Sequence, residues 1–119
     1  MMRQASREES VSEAESSDEW VRVAAADEVA EGEAHGVEIM GRSLALYRVD
    51  GELFCTDNIC THAYALLTEG WLDGHAIECP LHAGQFDIRT GKGLCPPIDA
   101  DLRTYPVRED GADVLVRLA

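Results

Sequence analysis

The most informative segment of the sequence runs from Cys60 to Asp87 and reads CTHAYALLTEGWLDGHAIECPLHAGQFD. It opens with Cys60-Thr61-His62 and, after sixteen further residues, continues with Cys79-Pro80-Leu81-His82. Thiolates and imidazoles are the protein ligands that zinc and iron–sulfur centres use most. Each pair is close enough in sequence to occupy one loop. The two pairs therefore indicate a metal site with four ligands, drawn from two separate loops.

The order of the ligands bears on which metal they hold. Chance is an improbable explanation, because the whole chain has four cysteines and four histidines and half of each fall in this paired register. Two thiolates and two imidazoles suit tetrahedral zinc as well as iron. The common zinc finger, however, takes both cysteines from one segment and both histidines from another. Here each loop supplies one of each, which disfavours a finger but leaves a zinc-binding interaction module open as an alternative.

The chain outside the two loops consists of short β-type runs separated by turns, which is typical of an all-β domain. Asp-Gly dipeptides favour the tight turns that close hairpins, and three of them, beginning at Asp50, Asp73 and Asp110, predict three hairpins. The acidic segment Asp27–Gly36 is predicted as a loop or one short helical turn. The predicted strands are Trp20–Ala24, Val37–Met40, Ser43–Val49, Leu53–Cys55, Ala76–Glu78, Gln85–Ile88, Thr104–Val107 and Val114–Leu118.

Strand Ser43–Val49 is apolar on both of its faces. Leu44 and Leu46 alternate with Ala45, Tyr47 and Val49 along the run. Side chains of a strand point alternately to opposite sides, so both sides of this strand are expected to be covered. An antiparallel sandwich or barrel meets that requirement.

Length and composition limit the domain organisation. At 119 residues the chain suits one domain. Residues 1–18 are rich in Ser, Glu and Asp and have too little apolar surface to fold, so we expect a flexible acidic tail ahead of a domain at 19–119.

Charge and apolar content limit the surroundings in which the protein works. The formal charge of −13 disfavours nucleic acid as a partner. No apolar run approaches the ~20 residues of a membrane helix, and the N-terminus has no secretory pattern. We therefore expect a cytoplasmic protein, in which four cysteines bind metal or are buried rather than form disulfides.

The two loops resemble a known family. The pattern of Cys60 and His62 with Cys79 and His82, followed by AGQFD, is similar to that of Rieske proteins. The resemblance is greatest to the ferredoxin components of bacterial aromatic-ring dioxygenase systems of the naphthalene and biphenyl types, and it extends from Trp20 to Leu118. In those ferredoxins a segment similar to Gly93–Pro97 forms a third loop over the metal centre.

The resemblance implies an all-β Rieske fold, with a small cluster-binding subdomain set on the sandwich or barrel. It implies one [2Fe–2S] cluster per chain, with Cys60 and Cys79 on one iron and His62 and His82 on the other. The imidazole edges are expected near the surface. A docking patch is expected around them, made of Ala63, Tyr64, Ala83 and Pro97.

The function implied is electron transfer without catalysis. The family's ferredoxins pass single electrons from an NADH-dependent flavoprotein reductase to a terminal Rieske oxygenase, and a monomer is expected. No Ser-His-Asp set or pair of catalytic carboxylates is visible in the sequence. The small Rieske subunit of assimilatory nitrite reductase also resembles this chain, but it often lacks ligands that are all present here.

The sequence departs from the high-potential Rieske proteins of respiratory complexes. Ala65 and Leu81 stand where those proteins have a disulfide, and Gly84 and Phe86 stand where they have Ser and Tyr hydroxyl donors. Without those donors, added negative charge on the centre is less stabilised. A reduction potential of about −150 mV is therefore expected. Cys55 and Cys95 lie outside the ligand set and are expected to be buried thiols.

Overall fold

The computed structural model describes residues 19–61, 64–81, 83–96, 98 and 100–118. This part of the chain is almost entirely β, as predicted, with two short 3₁₀ turns at Ala26–Glu28 and Leu67–Glu69. The predicted tail at residues 1–18 lies outside the described residues. The strands are β1 Trp20–Ala25, β2 Ala34–Ile39, β3 Arg42–Val49, β4 Glu52–Asp57, β5 Trp71–Asp73, β6 Ala76–Glu78, β7 Gln85–Asp87, β8 Val107–Asp110 and β9 Asp113–Arg117.

These strands form three antiparallel sheets of three strands each, ordered β1-β9-β8, β2-β3-β4 and β5-β6-β7. Short turns connect β2 to β3, β3 to β4, β5 to β6 and β8 to β9, whereas β1 pairs with β9 from the other end of the domain. Asp50 and Gly51 join β3 to β4 with φ of 55° and 80°, the left-handed values that a tight hairpin turn requires. Gly74 and Gly111 open the turns of the other two predicted hairpins, also with positive φ. All three hairpins are confirmed.

Strand β3 lies between two hydrophobic cores, which confirms that both of its faces are covered. One face contributes Leu44 and Leu46 to the base core, which it forms with Ala24, Val29, Cys55, Tyr105, Val114 and Val116. The other face contributes to the loop-side core, which comprises Ala45, Tyr47, Val49, Cys60, Leu67, Ile77, Cys79, Phe86, Ile88 and Leu102. The alternation of side chains along one strand thus joins the sheet base to the part of the molecule that carries the two loops.

One strand prediction was wrong, and one strand was missed. The predicted strand Thr104–Val107 is not continuous: Thr104 makes an isolated bridge to Thr56, and β8 begins only at Val107. Pro106, which has no N–H to donate to a ladder, separates the two. Strand β5 was missed because Trp71 and Asp73 are both exposed and only Leu72 between them is partly buried, so the run has little apolar pattern.

The 3₁₀ turn at Ala26–Glu28 confirms a short helical turn near the start of the acidic segment, although Ala34–Gly36 already belongs to β2. No helix in the described part of the chain is long and apolar enough to cross a membrane.

Candidate metal centre

The first loop leaves the end of β4 and returns to a 3₁₀ turn. Its base is closed by main-chain contacts: Ile59 bridges Leu66, and the Cys60 N–H donates to the carbonyl oxygen of Ala65 at 2.9 Å. Cys60 is 4% exposed and belongs to the loop-side core. The loop therefore begins with a buried thiol and continues outward from it.

The second loop follows β6 directly and is tighter. The Cys79 N–H donates to the carbonyl oxygen of Gly84 at 2.7 Å, and the Ala83 N–H donates back to the Cys79 carbonyl at 3.2 Å. Ala83 has a φ of 57°, an uncommon conformation for a residue with a side chain. Cys79 is fully buried in the same core as Cys60. Both loops thus bring one cysteine each into one core.

Gly70 allows the two loops to approach each other. A Cβ placed on this residue would lie 1.8 Å from the carbonyl oxygen of Glu78 and 3.2 Å from Cδ of Pro80. Its φ of −92° is ordinary, so the requirement for glycine here is one of space and not of backbone conformation. The end of the first loop therefore lies against the residues that flank Cys79.

The two predicted histidine ligands, His62 and His82, lie outside the described residues. Within the described part of the chain no group of three or more His, Cys, Asp or Glu side chains is arranged to hold a metal ion. The structure thus places two of the four predicted ligands, Cys60 and Cys79, in a common core.

The residues next to each histidine are on the surface. Thr61 and Tyr64 flank one side of the site, and the Tyr64 side chain is 89% exposed. Leu81 and Ala83 flank the other, and Leu81 is 60% exposed. Both loops therefore run from a buried cysteine to an exposed residue within one or two positions.

A third segment is tied to the first two. Within Gly93–Pro97, the Leu94 N–H donates to the carbonyl of Gln85 in β7 at 2.8 Å. The Thr61 hydroxyl donates to the carbonyl oxygen of Ala100 at 2.9 Å. The chain just after Gly93–Pro97 is thereby attached to the tip of the first loop. Pro97 itself lies outside the described residues.

The remaining cysteines differ in environment. Cys55 is buried in the base core, as predicted, and burial, followed by the charge of Asp57, raises the pKa of its thiol to about 12. Such a thiol stays protonated and unreactive at neutral pH. Cys95 is only half-buried, because it lies in the third segment. No disulfide joins any of the four cysteines, all of which are described.

The two positions expected to affect the reduction potential, Gly84 and Phe86, have no side-chain hydroxyl donor. Gly84 and Phe86 are both buried, and Phe86 packs in the loop-side core. The loop-side core also contains a buried phenol, Tyr47. Its hydroxyl already shares a hydrogen bond of 2.9 Å with the Thr56 hydroxyl. Burial raises the pKa of Tyr47 well above its usual value, so it remains a neutral phenol.

Sequence reasoning missed one residue that shapes this region. Asn58 is a buried amide at the foot of the first loop. Its place between the end of a strand and the Cys-x-His motif was a usable signal. For Gly70, the sequence predicts a turn or a close approach of the backbone, but not the segment that it approaches, because its neighbours come from distant parts of the chain.

The donor set fits a [2Fe–2S] centre of the mixed-ligand kind. Two cysteines in one core, each on a loop that also carries a histidine, match the two thiolates and two imidazoles such a centre takes. Burial of the cysteines fits as well, because the sulfur-bound side of the centre is then shielded from water.

Comparison with known proteins identifies the family. The model of the Rieske [2Fe-2S] domain matches residues 19–106. The ferredoxin component of the naphthalene 1,2-dioxygenase/salicylate 5-hydroxylase systems of Ralstonia sp is 46% identical over 99 residues, covering 83% of this chain and 95% of that protein. The ferredoxin component of the naphthalene 1,2-dioxygenase system of Pseudomonas aeruginosa is 45% identical, covering 86% and 98%.

Solved structures agree with these sequence relatives. The Sphingomonas yanoikuyae B1 ferredoxin superposes with a TM-score of 0.80 at 41% identity, covering 85% of this chain and all of that one. The ferredoxin of carbazole 1,9a-dioxygenase from Nocardioides aromaticivorans IC177 gives a TM-score of 0.78 at 35% identity, covering 82% and 95%. The chain therefore belongs to the Rieske [2Fe–2S] domain family, and its cofactor is a [2Fe–2S] cluster.

Proposed function

We propose that Cys60, His62, Cys79 and His82 hold the cluster, the cysteines binding one iron and the histidines the other. Support comes from one contrast: both cysteines are buried in the loop-side core, whereas the described residues nearest to the histidines, Thr61, Tyr64, Leu81 and Ala83, are exposed. A centre held this way has its thiolate side inside the protein and its imidazole side toward solvent.

The function is electron transfer. When bound, the cluster supplies a site that takes up and gives back one electron. The chain's own residues keep water from the two thiolates and fix the loops that carry the histidines, through the main-chain bonds made by Cys60 and Cys79. Relatives of this chain are named as ferredoxin components and not as oxygenases, so we describe this protein as a carrier without turnover chemistry of its own.

The electron donor is an NADH-dependent flavoprotein reductase and the acceptor is the terminal oxygenase of an aromatic-ring-hydroxylating system. A related ferredoxin, 37% identical to this chain with a TM-score of 0.77, has been solved in complex with the oxygenase of carbazole 1,9a-dioxygenase. The match covers 82% of this chain and 92% of that one. The formal charge of −13 would speed encounter with partners that carry a basic surface.

Docking would occur on the patch around the histidines. Of the predicted patch residues, Tyr64 and Ala83 are exposed, while Ala63 and Pro97 lie outside the described residues. Transient redox complexes bury less than about 1,200 Å². A small patch of this kind is sufficient for repeated binding and release. We further propose that the protein acts as a monomer in the cytoplasm, where NADH is available and thiols stay reduced.

Reconstitution tests the function directly. The purified protein, prepared anaerobically, is combined with a flavoprotein reductase, NADH and a terminal dioxygenase, and oxidised product is measured against NADH consumed. Product should form only when the protein is present. A sample that binds iron and sulfide but supports no oxygenase from aromatic-ring systems would contradict the proposed partners.

Elemental analysis and voltammetry test the cofactor and its setting. A brown sample containing iron and sulfide, with an EPR signal on reduction, is expected; a colourless zinc protein would support the interaction-module alternative instead.

Protein-film voltammetry should give a reduction potential of about −150 mV, because Gly84 and Phe86 offer no side-chain donor. A potential well above zero would show that another donor takes their place.

A further inference from the structure

Asn58 is unusual among the described residues because it is a buried polar side chain, 3% exposed, beside a metal-ligand loop. Its side chain bonds to Thr68 twice. The amide Nδ2 donates to the Thr68 hydroxyl at 3.1 Å, and Oδ1 accepts from the Thr68 N–H at 3.0 Å. Thr68 belongs to the 3₁₀ turn that follows the loop. One side chain therefore joins the residue before the loop to the turn after it.

The main chain of Asn58 is fixed at the same point. Its N–H donates to the carbonyl of Ser43 in β3 at 2.9 Å, and its carbonyl accepts from the Leu67 N–H at 2.7 Å. Both side-chain polar atoms and both main-chain polar atoms are thus bonded. A buried amide is costly when unpaired, so this arrangement favours a single position for the segment.

The bonds of Asn58 lie at the foot of the first ligand loop. The pair Asn58–Thr68 encloses Cys60 and His62 in sequence and lies just outside the Ile59–Leu66 bridge. The main-chain contacts described at the foot of the loop are that bridge, the Cys60–Ala65 bond and the bond from the Leu67 N–H to the Asn58 carbonyl. The side-chain bonds between Asn58 and Thr68 reinforce these main-chain contacts from outside the loop.

Strand β2 leaves room for the Asn58–Thr68 pair by having a glycine, Gly36, beside it. A Cβ placed on Gly36 in β2 would lie 3.1 Å from Asn58 Nδ2 and 3.2 Å from the Thr68 hydroxyl oxygen. Both distances are tighter than ordinary contacts, so an added methyl group would press on both partners. Gly36 therefore offers a way to disturb the pair without changing either of its members.

We propose that Asn58 is a positioning residue: its amide, bonded to Thr68, closes the foot of the first ligand loop and so fixes Cys60 against the cluster. This role rests on the ligand assignment proposed above. It adds a named residue outside the ligand motif on which retention of the cluster depends. The effect acts through Cys60, since Asn58 itself is buried against Thr68 and β3.

The test compares Thr68→Val with Thr68→Ser in the holoprotein. Valine has nearly the same shape as threonine but no hydroxyl, so Asn58 Nδ2 loses its acceptor; serine keeps the hydroxyl and loses only the methyl group. We expect Thr68→Val to release iron to a chelator about tenfold faster than the parent, as suits the loss of one buried hydrogen bond. Thr68→Ser should stay within about twofold. Asn58→Leu, which removes both side-chain bonds, should exceed Thr68→Val.

Two readouts separate positioning from general stability. The EPR signal of reduced Thr68→Val should be broadened or shifted, whereas Thr68→Ser should match the parent. Hydrogen exchange followed by mass spectrometry should rise in residues 58–70 and remain unchanged in residues 79–87. Gly36→Ala should give the same pattern more weakly.

The proposal is overturned if Thr68→Val and Asn58→Leu release iron, exchange amides and give EPR spectra as Thr68→Ser does. It is also overturned if exchange rises equally in both ligand loops, since that indicates loss of global stability. Failure of the oxygenase assay would instead contradict the proposed function, because none of these measurements uses a partner protein. If Asn58→Leu does not fold, Thr68→Val and Gly36→Ala still decide the matter.

Discussion

The base core and the loop-side core share strand β3 but are built in different ways. The base core is formed mainly by side chains of paired strands, such as Leu46 from β3 and Val114 and Val116 from β9. The loop-side core takes several members, including Cys60 and Leu67, from chain outside the strands. Its shape therefore depends on hydrogen bonds and close approaches that hold loops in place. Both regions bury apolar side chains, but only the loop-side core also carries the candidate site.

The cysteines show what this difference means chemically. Cys55 in the base core is buried among apolar side chains, and its raised pKa keeps it a neutral thiol. Cys60 and Cys79 are buried too, but each opens a loop that also carries a histidine. Burial alone thus does not mark a ligand. What distinguishes the two proposed ligands from Cys55 is the loop attached to each of them.

The largest expected effect is loss of the cluster on removal of a ligand. Cys79→Ser or His82→Cys should lose the visible absorption of the parent or change it radically, because a ligand of the iron is removed or exchanged. Cys55→Ala and Cys95→Ser should keep iron and sulfide at parental levels. Iron content and the EPR spectrum measure this. Loss of iron in Cys95→Ser would mean that a ligand has been misassigned.

A large effect is also expected where the two loops meet. Gly70→Ala should lower the stability of the holoprotein by about 4 kcal/mol or more, because its Cβ would overlap the Glu78 carbonyl and force the loops apart. Gly74→Ala is the matched control: its added Cβ meets open space, and only the positive φ costs about 1–2 kcal/mol. Denaturation midpoints from circular dichroism compare the two. Equal midpoints would show that the loops can separate without penalty.

Core truncations should separate stability from site geometry. Leu46→Ala in the base core and Ile77→Ala in the loop-side core both remove a fully buried side chain, and each should cost about 2–5 kcal/mol. Only Ile77→Ala should also alter the EPR g values, since Ile77 packs in the same core as both cysteines. A shifted spectrum in Leu46→Ala would show that the two cores are mechanically coupled through β3.

The smallest expected effect concerns alkaline pH. The pKa of Cys55 is about 12 in the folded protein and about 9 when unfolded, so unfolding releases its proton above pH 9. The parent should therefore lose about 1.4 kcal/mol more stability than Cys55→Ala on going from about pH 8 to about pH 10. Below about pH 8 this proton should make no difference between them. Denaturation at several pH values measures the gap, and parallel curves would show that Cys55 is solvated.

Local sequence signals predicted much of the fold. The three Asp-Gly hairpins and the two-sided burial of β3 are confirmed, because both depend on short-range backbone preference and on alternation of side chains. A fourth turn, at Met40 and Gly41, has φ of 51° and 78° and was not predicted, since methionine seldom adopts positive φ. Strand β5 was not predicted because two of its three side chains are exposed and it has little apolar pattern.

The ligand motif was equally easy to recognise in the sequence, and it indicated the family and its cofactor before any contact was known. The assignment of all four ligands stays a prediction, because only Cys60 and Cys79 lie among the described residues.

The chemistry was thus evident from the order of the residues: which types are paired, at what spacing, and between which turns. The folded chain was needed to show which thiols share a core, why Gly70 must be small, and that Asn58 bonds across the first loop to Thr68. The difference follows from distance along the chain. Spacing and turn preference act between near neighbours, whereas burial and close approach depend on segments that meet only after folding.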